Sequence, residues 1–205
     1  MATSITYRSA LIYELSIFML YGRHYSSRYR TIAELIPPNS SVLDLCCGPA
    51  VLYERHLRQK PIEYTGLDIN EKFIKRIARL GAHGQIWDLR SDTPLPPADY
   101  VIMQGGLLHF LPDASPMVDR MLQAARRQVI ISEAIRNFAS SNAPLLASLG
   151  RWLTDPGTGR HPLRFTERTL DDFFTAYAAR VDRSFLISGG REKIYVLNAK
   201  VTGDE

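Results

Sequence analysis

Val42-Leu43-Asp44-Leu45-Cys46-Cys47-Gly48-Pro49-Ala50 runs from a short apolar strand into a tight turn of small residues. A helix is expected to follow, through about Arg58. Small residues let a backbone approach a ligand closely, and the start of a helix offers N–H groups and a positive dipole end. About 20 residues on, Asp68 closes a second strand, where a carboxylate can accept hydrogen bonds from both hydroxyls of a ribose. Taken singly, Asp68 reads more readily as a helix cap than as a ligand, and Asp44 can be a turn former, Cys46 and Cys47 small core residues.

Working outward, apolar strands alternate with helical patterns. Tyr64–Asp68 is the second strand and 71–80 a helix; Gln85-Ile86-Trp87 is a third strand. Tyr100–Met103 follows the Pro94-Leu95-Pro96-Pro97 loop, then a helix over 115–126 leads to Val129-Ile130-Ile131. That rhythm predicts a mostly parallel, doubly wound sheet. It breaks at the end, where Phe185–Ile187 and Ile194–Leu197 are joined by Ser188-Gly189-Gly190-Arg191. The link is too short for a parallel crossover, so these two strands form an antiparallel hairpin. The expected fold is α/β: seven strands, mostly parallel, a C-terminal antiparallel hairpin, helices on both faces.

Upstream, 8–21 and 27–36 read as amphipathic helices separated around Tyr21-Gly22-Arg23 and stopped by Pro37-Pro38. No stretch reaches the roughly 18 apolar residues of a membrane span, and no signal-peptide pattern is present. At 205 residues one domain is expected. It divides into an N-terminal helical lid (1–37), a core (38–135), an insertion (138–165) and a C-terminal helix and hairpin (166–201). Two adjacent cysteines suit neither a disulfide framework nor a zinc site, which points to a reducing, cytoplasmic setting. A formal charge of +4 is compatible with an anionic acceptor or RNA and demands neither.

The whole pattern resembles the class I S-adenosylmethionine-dependent methyltransferases over about residues 28–200, in the small-molecule branch. The turn Asp44–Ala50 resembles the family's glycine-rich first motif, and Gly66-Leu67-Asp68-Ile69-Asn70 its acidic second. Trp87-Asp88-Leu89 resembles the third; Asp99–Gln104 with Leu108-His109-Phe110 resembles the fourth. Two glycines of the first motif are replaced here, by Cys46 and Ala50. The resemblance implies S-adenosyl-L-methionine as cofactor, held by Tyr25, Asp44, Cys46, Gly48, Asp68, Ile69, Asp88, Leu89, Gln104 and Gly105. A nicotinamide enzyme fits worse: its G-x-G-x-x-G needs glycines where the chain has Cys46 and Val51, and the terminal hairpin is unexplained.

Methyl transfer is an in-line displacement needing alignment, water exclusion and at most a base, with no metal. His109, after the fourth strand, is the candidate base; its bland alternative is packing before Pro112. Glu133 is a weaker candidate that equally ends the fifth strand. The insertion is expected to close over the acceptor, with Trp152, Arg160 and Arg164 contacting it; otherwise it is a surface excursion with solvated arginines. Neither a cysteine nucleophile outside the turn nor an Asn/Asp-Pro-Pro-aromatic signature is present, which argues against a nucleic-acid substrate. The reading is methyl transfer to a small or medium organic acceptor. An RNA or protein methyltransferase, or a catalytically silent cofactor-binding partner subunit, are the alternatives.

Overall fold

The computed structural model describes residues 17, 18, 21–136 and 163–200. Seven strands form one sheet: β1 Ser41–Leu45, β2 Glu63–Asp68, β3 His83–Ile86, β4 Ala98–Gln104, β5 Ala125–Ala134, β6 Val181–Leu186 and β7 Glu192–Asn198. Their order is β3-β2-β1-β4-β5-β7-β6. The first five run parallel; β7 is antiparallel to both β5 and β6. Among the described residues four α-helices flank it: α1 Tyr25–Glu34, α2 Glu71–Arg79, α3 Ser115–Ala124 and α4 Glu167–Phe174. No described helix is long and apolar enough to cross a membrane.

Period two along each strand sorts side chains onto two faces. Val42, Tyr100, Ile102, Ile130, Ile194 and Val196 pack with Tyr25, Tyr29 and Ile32 of α1 and Ile74 and Ile77 of α2. Leu43, Leu45, Val101, Met103, Val129, Ile131 and Tyr195 pack with α3 and α4. In α1 the buried positions Tyr25, Arg28, Tyr29, Ile32 and Ala33 recur at three- and four-residue spacing, so the helix lies flat on the sheet. Fully buried Ile32, Leu57 and Ile77 each contribute about 1.5–3 kcal/mol. Asn70 starts α2 by accepting the Lys72 N–H at 3.0 Å, and a reciprocal Thr166–Thr169 capping box starts α4.

Several boundaries depart from the sequence expectation. The helix expected over 115–126 stops at Ala124 because Ala125 is already extended (ψ 133) and pairs with Ala98. Ladder hydrogen bonds there replace the last helical turn. The third strand begins at His83 and ends at Ile86 rather than spanning 85–87. Gly84 permits this early start, since a Cβ on it would lie 3.1 Å from the Ile77 side chain. The helix after the first turn is mostly a π turn, Tyr53–Leu57, capped by Arg58. The second N-terminal helix starts at Tyr25, continuous with a 3-10 turn at Gly22–His24. Of the helix expected over 8–21 only Ile17, Phe18 and Tyr21 lie among the described residues.

The hairpin turn presses on the N-terminal segment. His24 Nδ1 and Ser188 Oγ are 3.0 Å apart, and a Cβ on Gly189 would fall 2.7 Å from the His24 ring. Gly189 also has φ +93, so a side chain is disfavoured twice. Gly189→Ala is expected to destabilise the protein by about 1–2 kcal/mol from backbone strain alone. The steric part adds to this and is relieved in a His24→Ala background. Urea midpoints of the two single variants and the double check it; strictly additive losses would mean that the ring contact is irrelevant.

Candidate functional site

The carboxyl ends of β1, β2 and β4 meet where the sheet reverses direction from the β1–β2–β3 half to the β4–β5 half. Ligands of open α/β sheets bind in this crevice. β1 delivers the first turn into it, and the backbone there is left-handed at Cys46 (φ 53), Gly48 (φ 55) and Ala50 (φ 59). Cys46 and Ala50 thus keep the conformation that glycine favours, at about 1–2 kcal/mol each. Strain of this kind, held by surrounding structure, marks functional turns. Across the crevice Gly106 allows contact: a Cβ there would lie 3.2 Å from Cys46 Sγ.

Asp68 ties the turn to β2. One carboxylate oxygen accepts the Gly48 N–H at 2.9 Å and the other the Asn70 N–H at 2.8 Å. Burial raises its pKa from the ordinary carboxylate value, and the two backbone donors oppose the rise. A carboxylate has about four acceptor sites, so two remain for further donors. Ile69, next in the chain, is 62% exposed although apolar. Asp88 is exposed beyond β3 and accepts the Arg90 N–H at 3.0 Å, shaping its own turn. Leu89 turns the other way into the α3-side core.

Beside the turn lies a narrow cavity lined by Arg28, Tyr29, Asp44, Cys46, Cys47, Pro49, Val51, Leu52 and Gln104. Asp44 is buried, and burial pushes its pKa up to about 7 despite a 2.7 Å hydrogen bond donated by the Tyr64 hydroxyl. Burial likewise drives the Cys46 and Cys47 thiols upward, keeping both protonated and unreactive. Arg28 reaches the cavity from α1, held by a bidentate pair with Glu192 at 2.9 and 3.1 Å. Glu192 also accepts from Ser132 Oγ at 2.9 Å. Gln104 Nε2 lies 3.4 Å from both the Arg28 carbonyl and Glu192. Gly105 follows with φ +67, its N–H donating to the Ser132 carbonyl at 2.7 Å.

Register explains this cluster. Gln104 pairs with Ser132, and Ala134 with Glu192. Because β7 is antiparallel, its first residue sits at the carboxyl end of its parallel neighbours. Arg28, Tyr29, Ser132 and Glu192 were not expected at the site. The legible signal was an arginine inside the apolar stripe of α1, where charged residues are rare unless paired. Tyr25 is buried among Phe18 and Tyr29, with ring centroids at 5.8 and 5.3 Å. It lies one turn from the cavity that its neighbours line.

His109 rides on a 3-10 turn, Leu107–Phe110, directly after β4. Glu133 seats that turn: its Oε2 accepts the N–H groups of Leu107 at 3.0 Å and Leu108 at 3.4 Å. Burial raises the Glu133 pKa to about 7. Trp152 and Arg160 lie outside the described residues, as does most of the 138–165 insertion. Arg164 is half-buried beside Phe165, which packs in the α3-side core.

The model of the family described as "Methionine biosynthesis protein MetW" matches residues 26–157, more than half of the chain. The chain belongs to the MetW family. No curated protein matches the sequence. Among solved structures, a chain from the complex between the Haloferax volcanii Trm112 methyltransferase activator and the putative methyltransferase has a TM-score of 0.68 at 11% identity, with 97% of this chain and 99% of that chain covered. The N-methyltransferase NodS from Bradyrhizobium japonicum has 0.59 at 13%, with 87% and 96% covered. The [4+2]-cyclase SpnF has 0.63 at 12%, with 87% and 82% covered. This MetW-family chain has the class I methyltransferase fold, for which S-adenosyl-L-methionine is the expected cofactor. The residues fit it: Asp68 offers a carboxylate to a ribose, Ile69 an exposed apolar surface to a base, and the left-handed turn a close backbone approach. A cyclase on the same fold means that the reaction has to be argued from the site.

Proposed function

We propose that the protein transfers a methyl group from S-adenosyl-L-methionine to a small or medium organic acceptor by in-line displacement. The observation that carries this is Asp68, bridging the Gly48 N–H and the Asn70 N–H at the mouth of the crevice. It joins the first turn to the end of β2 and directs a carboxylate toward a ribose. Asp44, Cys46, Gly48, Gln104 and Gly105 wall the crevice beside it; Ile69 and the Asp88–Leu89 backbone flank a base. The bound cofactor supplies an electrophilic sulfonium methyl. The chain's own task is to orient both reactants, exclude water and accept a proton, for which His109 is the candidate. The 138–165 insertion, with Trp152, Arg160 and Arg164, is proposed as the lid that selects the acceptor. The cytoplasm is its proposed setting.

Asp68→Ala is expected to weaken S-adenosylmethionine and S-adenosylhomocysteine by about 10- to 150-fold. Loss of charge-assisted hydrogen bonds accounts for roughly 1.5–3 kcal/mol. Calorimetry on the folded variant decides it; unchanged affinity would remove Asp68 from the site. Incubation with labelled cofactor and host metabolite extract tests the reaction itself and identifies the product. A second reading, a silent cofactor-binding subunit, is favoured by the non-glycine residues Cys46 and Ala50 in left-handed backbone. It requires cofactor binding with no transfer to any metabolite and tight association with a homologous subunit.

A further inference from the structure

We propose that Glu133, at the end of β5, is a positioning residue whose ionised carboxylate fixes the turn that carries His109. The proposal rests on the methyl-transfer reading, and it names what holds the candidate base in place.

Glu133 is 1% exposed. A carboxylate so deeply buried is normally paired with a cation, and one stands directly opposite. Lys193 faces Glu133 in the β5–β7 ladder, and period two puts both on the α3-side face, beside Ile131 and Tyr195. Side chains so placed start only about 4.5–5.5 Å apart. Yet the Lys193 ammonium turns to Asp171 on α4, at 2.7 and 2.9 Å, with Glu167 at 3.6 Å. The Glu133 carboxylate is left to backbone donors. Its Oε2 accepts the N–H groups of Leu107 at 3.0 Å and Leu108 at 3.4 Å, and its Oε1 that of Ala134 at 3.2 Å.

Two of these donors belong to the loop after β4. Leu107 and Leu108 open the 3-10 turn that contains His109, and the first N–H groups of such a turn have no partner within it. Leu107 is also completely buried, so no water replaces the carboxylate. Protonation would put an O–H where N–H groups already point and would remove acceptor capacity. The charged form therefore holds the turn better than the neutral form. The titratable groups around Glu133 are Glu192 and Lys193 on β7, Cys46 in the first turn, Tyr21 before α1 and His109 itself. Burial, opposed by the N–H donors and reinforced by Glu192, sets the Glu133 pKa at about 7. As pH falls through that value the carboxylate is lost, and its hold on the turn with it.

The test reads the turn and the reaction separately. In the wild type the amide proton signals of Leu107 and Leu108 are expected to titrate together between about pH 6 and 8, and in Glu133→Gln to stay flat. Gln keeps the size of the side chain without its charge. On an acceptor identified with labelled cofactor, kcat of Glu133→Gln at about pH 8 is expected to be about 10- to 100-fold below wild type, as for a slightly misplaced base. KM and S-adenosylhomocysteine affinity stay within about twofold. The acid limb of kcat is expected to involve about two protons in the wild type, one of them on His109, and about one in the variant. A folded Glu133→Gln with kcat within about twofold of wild type would make Glu133 a structural cap and overturns the proposal. So do wild-type Leu107 and Leu108 signals that do not titrate. If Glu133→Gln does not fold, the wild type decides: a kcat limb sharing the amide midpoint is expected, and a limb independent of it overturns the proposal. Wild-type protein that binds cofactor but methylates nothing overturns the methyl-transfer reading beneath, while titrating amides still assign the hold on the turn to Glu133.

Discussion

His109→Ala is expected to lower turnover by about 10²–10⁴-fold while leaving cofactor affinity within about twofold. The size follows from the role: positioned proton transfer supplies roughly 3–5 kcal/mol of the barrier, at 1.36 kcal/mol per tenfold. The place follows from the backbone. β4 ends at Gln104, Gly105 and Gly106 turn the chain, and the 3-10 turn Leu107–Phe110 sets His109 at the carboxyl end of the sheet. Its own N–H donates to the Gly106 carbonyl at 3.1 Å. The buried Glu133 carboxylate holds the first two N–H groups of that turn. The imidazole therefore sits on a fixed platform, and deleting its ring leaves the platform standing. Single-turnover transfer of labelled methyl and calorimetric cofactor affinity, measured on one preparation, separate the outcomes. Parallel loss of both would assign His109 to cofactor contact or local structure; full activity would dismiss it.

Much of this architecture was legible because local rules and tertiary structure agree. The apolar run Val42–Leu45, the small-residue turn and the acid ending β2 each obey a short-range pattern, and their spacing shows the alternation of strand and helix. The hairpin followed from loop length alone. Boundaries failed where pairing overruled propensity, as at Ala125 and Arg126, which read as helix and are strand. The cavity was half legible. Asp44, Cys46 and Gln104 lie on the recognisable motifs, but Arg28 and Glu192 are 164 residues apart. Nothing local to Glu192 announces its partner; the register of β7 against β5 creates the pair. Leu89 belongs to the third motif, and its side chain packs in the α3-side core.

Arg28→Ala is expected to destabilise the fold by about 3–5 kcal/mol, because it strands the Glu192 carboxylate in the interior without a cation. Arg28 and Glu192 are 5% and 0% exposed, so water does not compensate. Ser132 and Gln104 still donate to the carboxylate, but neither carries charge. Against a total stability of about 5–15 kcal/mol such a loss is a large share, and a chain this size should lose roughly 6–20 °C in Tm. The same physics predicts that Arg28→Met combined with Glu192→Met recovers most of the stability, since a buried ion pair replaced by apolar groups of similar volume is often neutral or better. Urea midpoints of Arg28→Ala and of the double variant test both halves. A cost below about 1 kcal/mol for Arg28→Ala would mean that the pair is effectively solvated. A double variant as unstable as the sum of its singles would mean that packing, not the stranded charge, sets the cost. If the double variant does recover, stability alone gives no reason to keep an ion pair at the end of β7.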